Sequence, residues 1–125
     1  MAKDIKLPGA DHPISVEPTG SRVVVRLGDV VVADSTAALS LRESNYPVVQ
    51  YIPIEDVDQA LLTRTDSSTY CPYKGDASYY TLSGPDGDLV DVIWTYDKPH
   101  ASVEPIAGHV AFYPNKVDIS VGATA

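Results

Sequence analysis

Arg22-Val-Val-Val-Arg-Leu-Gly-Asp-Val-Val-Val-Ala33 decides the fold class. Two valine-rich runs, 22–27 and 30–33, flank a Gly-Asp pair. β-Branched side chains suit a pleated, half-buried surface better than a helix. Glycine takes the positive φ that opens a two-residue type II′ turn, so the stretch predicts a tight β-hairpin.

The same signature recurs along the chain. Apolar, β-prone runs lie at 48–52, 77–82, 89–96, 109–113 and 117–121, and Ser83-Gly-Pro-Asp-Gly-Asp88 and Pro114-Asn-Lys116 form turn clusters between neighbours. Strands this short and regularly spaced predict a mainly β protein, a sandwich or open barrel. One short helix is expected from Pro53, where Glu55 and Asp56 put negative charge in a first turn. Ile54, Val57 and Leu61 then recur at helical spacing. A second short turn is expected over 35–40, capped by Asp34 or Ser35. Residues 1–10 read as a flexible tail and 11–125 as one domain, since 125 residues support a single core.

Composition narrows the function classes. Seventeen acidic residues against nine Lys and Arg give a formal charge of −8. Nucleic-acid backbones and anionic membranes both call for a basic face, so neither is an expected partner. No apolar run reaches the roughly 20 residues of a membrane span. The single cysteine, Cys71, excludes an internal disulfide and a Cys-based zinc site, and His12, His100 and His109 show no ligand spacing. No metal or cofactor is expected. The N-terminus has no apolar signal region, and a cytoplasmic location is the default expectation.

Eight of the ten aromatic residues are tyrosines. A phenol needs a hydrogen-bond partner when buried, so tyrosine suits a surface with one apolar and one polar side, as in a pocket or interface. Strict alternation along 89–96 places Val90, Val92, Trp94 and Tyr96 on one face. Tyr79 and Tyr80 point opposite ways, so one of them joins that face. The loop Thr69-Tyr-Cys-Pro-Tyr-Lys-Gly75 holds a thiol and a cation in a shape fixed by Pro72 and Gly75. Cys71 is a nucleophile only if a cation such as Lys74, His100 or His109 lowers its pKa, and otherwise a buried structural thiol. Of the adjacent Arg42 and Glu43, one must face inward if the segment is extended, and a buried charge demands a partner such as Asp34, Lys74 or a ligand. Asp86 and Asp88, after Ser83-Gly84, read as turn residues and not as catalytic acids.

Five ordered motifs carry a family resemblance: Val31-Val-Ala-Asp-Ser35; Tyr51-Ile-Pro53 with Asp56-Val57; Cys71-Pro-Tyr-Lys-Gly-Asp-Ala-Ser-Tyr79; Trp94-Thr-Tyr96 with Pro99; and Ile106-Ala-Gly-His-Val-Ala-Phe-Tyr113. Over residues 11–121 the chain resembles the domain-of-unknown-function family 427. The resemblance implies a β-tent of the Mss4-like group, two antiparallel sheets splayed around a cavity. That group's paired Cys-x-x-Cys zinc motifs are missing here. The family is sometimes labelled a nucleotidyltransferase, and no pattern in this chain supports the label. Its recurrent motif positions map onto Glu43, Tyr51, Cys71, Lys74, Gly75, Trp94 and Tyr96.

These readings define one candidate site. Cys71, Lys74 and Glu43 are its candidate catalytic residues, and Arg42, Tyr51, Tyr79, Trp94 and Tyr96 its ligand-binding residues. The expected function is binding of a small polar or anionic molecule in a tyrosine-lined pocket between sheets, with or without turnover. The alternative is a protein-interaction or homodimer module.

Overall fold

The computed structural model describes residues 5–122. Ten strands form two antiparallel sheets: β1 (Ile14–Pro18), β2 (Val23–Leu27), β3 (Val30–Ser35), β4 (Leu39–Glu43), β5 (Val49–Pro53), β6 (Leu62–Cys71), β7 (Gly75–Gly84), β8 (Gly87–Thr95), β9 (His109–Phe112) and β10 (Asp118–Val121). Seven make one sheet in the order β1-β4-β5-β9-β8-β7-β6, and β10-β2-β3 make a second. The chain is mainly β, as the sequence leads one to expect, and no barrel closes.

The opening hairpin forms as read. Leu27 pairs with Val30 across the Gly28-Asp29 turn. Gly28 carries the positive φ, +59°. The helix expected from Pro53 takes the form of two single 3₁₀ turns, Ile54–Asp56 and Gln59–Leu61. Tertiary pairing interrupts it: the Asp58 amide donates to the Val32 carbonyl at 2.8 Å and Val57 bridges to Ala33. The turn expected over 35–40 shortens to a bend at 36–37, where Ser35 Oγ accepts from the Ala37 amide at 3.0 Å, because β4 already begins at Leu39. A third 3₁₀ segment, Ala101–Ile106, buries Val103 and Ile106.

The large sheet is buried on both faces, which gives two cores. One lies between the sheets, where Val23, Val25 and Val32 of the small sheet meet Ile52, Leu82, Ile93 and Val110 of the large one. On the other face Leu41, Tyr51, Ala77, Tyr96 and Ala111 surround Val103 and Ile106. Those residues come from strands far apart in the sheet order, so the sheet curls over its own second face.

The expected face pattern of 89–96 fails in one half, and the reason is a bulge. Leu82 pairs with Leu89 but Tyr80 with Ile93, so Val90, Asp91 and Val92 oppose Thr81 alone. Asp91 takes φ +56°, left-handed for a non-glycine residue. The bulge turns Val92 into the core between the sheets with Ile93, and leaves Val90 67% exposed. Trp94 and Tyr96 stay on the second face. A matching bulge in β6 places Thr65, Asp66 and Ser67 opposite Tyr79. The two bulges meet: Thr65 Oγ1 and Ser67 Oγ donate to the two Asp91 oxygens at 2.6 and 2.5 Å. These bonds, Ser67's the stronger, hold the Asp91 carboxyl below its usual pKa.

The bulge makes a sharp prediction. Val92→Ala should destabilise the protein by roughly 2 kcal/mol in urea unfolding, whereas Val90→Ala should stay within about 0.5 kcal/mol of wild type. Equal costs would mean that the strand alternates without a bulge.

Candidate functional site

Glu43 ends β4, and Lys74 sits in the turn between β6 and β7, near the opposite end of the sheet. Their side chains nonetheless meet, the Lys74 ammonium donating to Glu43 Oε1. The other carboxylate oxygen accepts from His12 Nε2 at 2.7 Å. His12 in turn stacks on Tyr73, with ring centroids 4.0 Å apart and planes within 10°. Gly75 fixes the approach of Lys74. Its φ of +117° suits glycine, and a Cβ there would lie 3.4 Å from the Lys98 carbonyl oxygen. The backbone adds another link, from the Lys6 amide to the Pro72 carbonyl at 2.9 Å. Together these contacts clasp the curled sheet between its two ends.

Glu43 is buried, and burial opposes its ionisation. The hydrogen bonds and charges of Lys74 and His12 outweigh that cost and hold its carboxyl below the usual range. The geometry therefore answers which of the adjacent pair turns inward. Glu43 does, with Lys74 as its partner, while Arg42 is exposed on the other side of β4.

Below the clasp lies the aromatic face. Trp94 Nε1 donates to the Tyr51 hydroxyl at 3.1 Å, and the two rings meet edge to face at 6.5 Å. Tyr51 is almost fully buried. Desolvation pushes its pKa up to about 12, with Glu43, Cys71 and Tyr79 adding to the rise. Burial likewise raises Tyr96, with Tyr51 and Cys71 contributing. Tyr79 pairs with Trp94 across β7 and β8, and its hydroxyl bonds to Thr69 Oγ1 at 2.8 Å. Cys71 packs half-buried against this cluster. Seven of the eight candidate residues, all but Arg42, thus gather at the clasp and on the face beneath it. They gather as a packed, hydrogen-bonded cluster. No group of three or more His, Cys, Asp or Glu among the described residues could hold a metal.

Open space lies next to this cluster. β5 pairs with β9 only through Ile52–Val110 and Pro53–His109. Residues 49–51 stay with β4, and Ala111 and Phe112 stay with β8. Where the strands part, a cleft of about 510 Å³ opens. Trp94 and Phe112 line it from the large sheet, and Ile119 and Val121 from β10 of the small one. Tyr46 and Val48, just before β5, form its rim. Of the candidate residues only Trp94 reaches the wall of this cleft.

Sequence reasoning missed three parts of this region. His12 sits beside a segment read as a tail, 31 residues from its partner Glu43. Tyr46 and Val48 precede a strand and resemble ordinary strand-end residues. Gln50 alternates with Val49 and Tyr51, which marks it as facing the other way, but nothing local shows what it faces.

A family described as a domain of unknown function (DUF427) matches residues 15–123. No curated protein matches the chain.

The clasp should be visible in acid. A carboxyl whose folded pKa is depressed contributes stability that is full above the ordinary glutamate value, about 4.3. That stability is lost as the pH falls through the lower, folded value. Urea midpoints of the wild type should therefore fall faster below that pH than those of Glu43→Gln, whose side chain does not titrate. Lys74→Met leaves the buried carboxylate with His12 as its one remaining partner and should cost roughly 3 kcal/mol at neutral pH. Adding Glu43→Leu to it should restore most of the loss.

Proposed function

We propose that this chain, which belongs to the domain-of-unknown-function family 427, binds a small, uncharged, largely apolar molecule in the cleft between its two sheets. The observation that carries the reading is the cleft's wall: apolar and aromatic, with no charged side chain, in a volume of about 510 Å³. That size falls within the range of small-molecule sites, and concave apolar walls with few polar groups are how such sites are built.

The same wall offers an anionic ligand no partner. Lys74 is occupied by Glu43, and Arg42 lies on the far side of β4. An anion would enter without a partner and against a net charge of −8. A nucleophilic role for Cys71 gains no support from the cleft, since the thiol is not in its wall. A second reading has its own observation. Tyr46, Val121 and Val48 stay 60, 52 and 39% exposed around the cleft mouth, as at the rim of a protein interface or a homodimer contact.

Trp94 is the chain's one tryptophan and lines the cleft, so no other indole contributes to the emission that follows a ligand there. Titration with N-phenyl-1-naphthylamine, a neutral apolar fluorophore, should quench that emission to a 1:1 endpoint. Val48→Arg, at a partly exposed rim position, should weaken the probe at least tenfold while the protein stays folded. Unchanged Trp94 emission, or equal affinity in the variant, sinks the proposal. Concentration-dependent light scattering abolished by Val48→Arg would favour the homodimer.

A further inference from the structure

We propose that the molecule taken by the cleft carries one hydrogen-bond acceptor, a carbonyl-type oxygen on an apolar frame, and that Gln50 selects it. This rests on the reading of the cleft as a ligand site.

Gln50 supplies the wall's only side-chain amide. That amide is fixed. Its Oε1 accepts from Thr19 Oγ1 at 2.5 Å, and its Nε2 donates to Ser40 Oγ at 3.1 Å. Thr19 Oγ1 and Ser40 Oγ are themselves 2.8 Å apart, so the three side chains form a closed triangle. Ser40 lies directly across β4 from Gln50, and the Thr19 amide is held by the Ala38 carbonyl at 2.9 Å. Each vertex is thus pinned by the sheet or by the backbone beside it.

An amide nitrogen has two hydrogens, and Ser40 takes one. The amide oxygen, with two lone pairs, is flanked by both hydroxyls, Thr19 Oγ1 at 2.5 Å and Ser40 Oγ at 3.4 Å. What Gln50 has left to give a ligand is therefore a donor. The other side-chain N–H donor in the wall, Trp94 Nε1, is committed to the Tyr51 hydroxyl. Tyr46 is mostly in water. The recognition chemistry is therefore one-sided: a single, pre-positioned N–H in an apolar surround. A ligand that fills the cleft without an acceptor leaves that N–H unpaired, and the loss is larger than a surface hydrogen bond would suggest.

Gln50 acts here as a specificity residue, with Thr19 and Ser40 as its positioning residues. The test is displacement of N-phenyl-1-naphthylamine by two isosteric probes, 2-acetylnaphthalene and 2-isopropenylnaphthalene, which differ only in an oxygen acceptor. The ratio of their affinities should favour the ketone in the wild type and shift by about fivefold or more toward the hydrocarbon in Gln50→Leu. Ser40→Ala and Thr19→Val keep the amide but loosen it, and should give intermediate ratios. A purely structural role for the triangle would lower stability in all three variants and leave the ratio unmoved, which overturns the proposal. If Gln50→Leu does not fold, wild-type ratios in both Ser40→Ala and Thr19→Val overturn it equally. Displacement by neither probe removes the ligand site itself. Displacement by both, with no difference between variants, removes only the role of Gln50.

Discussion

Among the described residues Glu43 is the only charged side chain that the fold buries. Its two oxygens receive Lys74 from the β6–β7 turn and His12 from the segment before β1. An antiparallel sheet of seven strands with apolar residues on both faces cannot remain open and flat in water. One face is covered by the small sheet. The other is covered by the large sheet's own curl, and a curl needs its ends tied. In a closed barrel, backbone hydrogen bonds would do this. Here the edge strands β1 and β6 stay unpaired with each other, and a contact of three side chains, Lys74, Glu43 and His12, spans the gap.

That arrangement explains how a cleft and a tight aromatic cluster sit side by side. The curl brings Tyr51, Tyr79, Trp94 and Tyr96 into contact around Ile106, where each ring fills space that the sheet's closure creates. Curvature must also be accommodated within the sheet. It is accommodated at the short β5–β9 contact, which leaves room between residues 49–51 and Phe112. Trp94 belongs to both regions. Its indole N–H faces the packed tyrosine, and part of its ring forms the wall of the open space.

The hairpin at 23–35, the turns at 83–88 and 114–116 and the strands with dense β-branched residues were legible, because each carries its own local signal. β6 was not. Its residues, Leu-Thr-Arg-Thr-Asp-Ser-Ser-Thr-Tyr-Cys, are mostly polar, since the strand lies at an edge and buries little. The bulge at Asp91 was hidden for a different reason: a left-handed aspartate is set by hydrogen bonds from Thr65 and Ser67, 26 and 24 residues away. For the site, residue types that demand partners were readable. An inward Glu43 had to find a cation, and Lys74 was a candidate. That the pair would lie outside the open cavity, and that Tyr46 and Ile119 would line it, depends on where two strands part, which no local pattern encodes.

The paired bulges also bear on how this chain behaves beside other copies of itself. An unpaired strand of ten residues would ordinarily offer a ladder of amides and carbonyls to a neighbour. β6 interrupts that ladder at Thr65–Ser67, where the backbone swings out and two hydroxyls are drawn over to Asp91. Arg64 and Asp66 add charge beside the kink. At the opposite edge β1 is only five residues long, with Pro13 before it and Pro18 at its end. Both open margins of the large sheet are thus poor templates for the stacking that seeds fibrils, and that sheet stays open without inviting edge-to-edge aggregation.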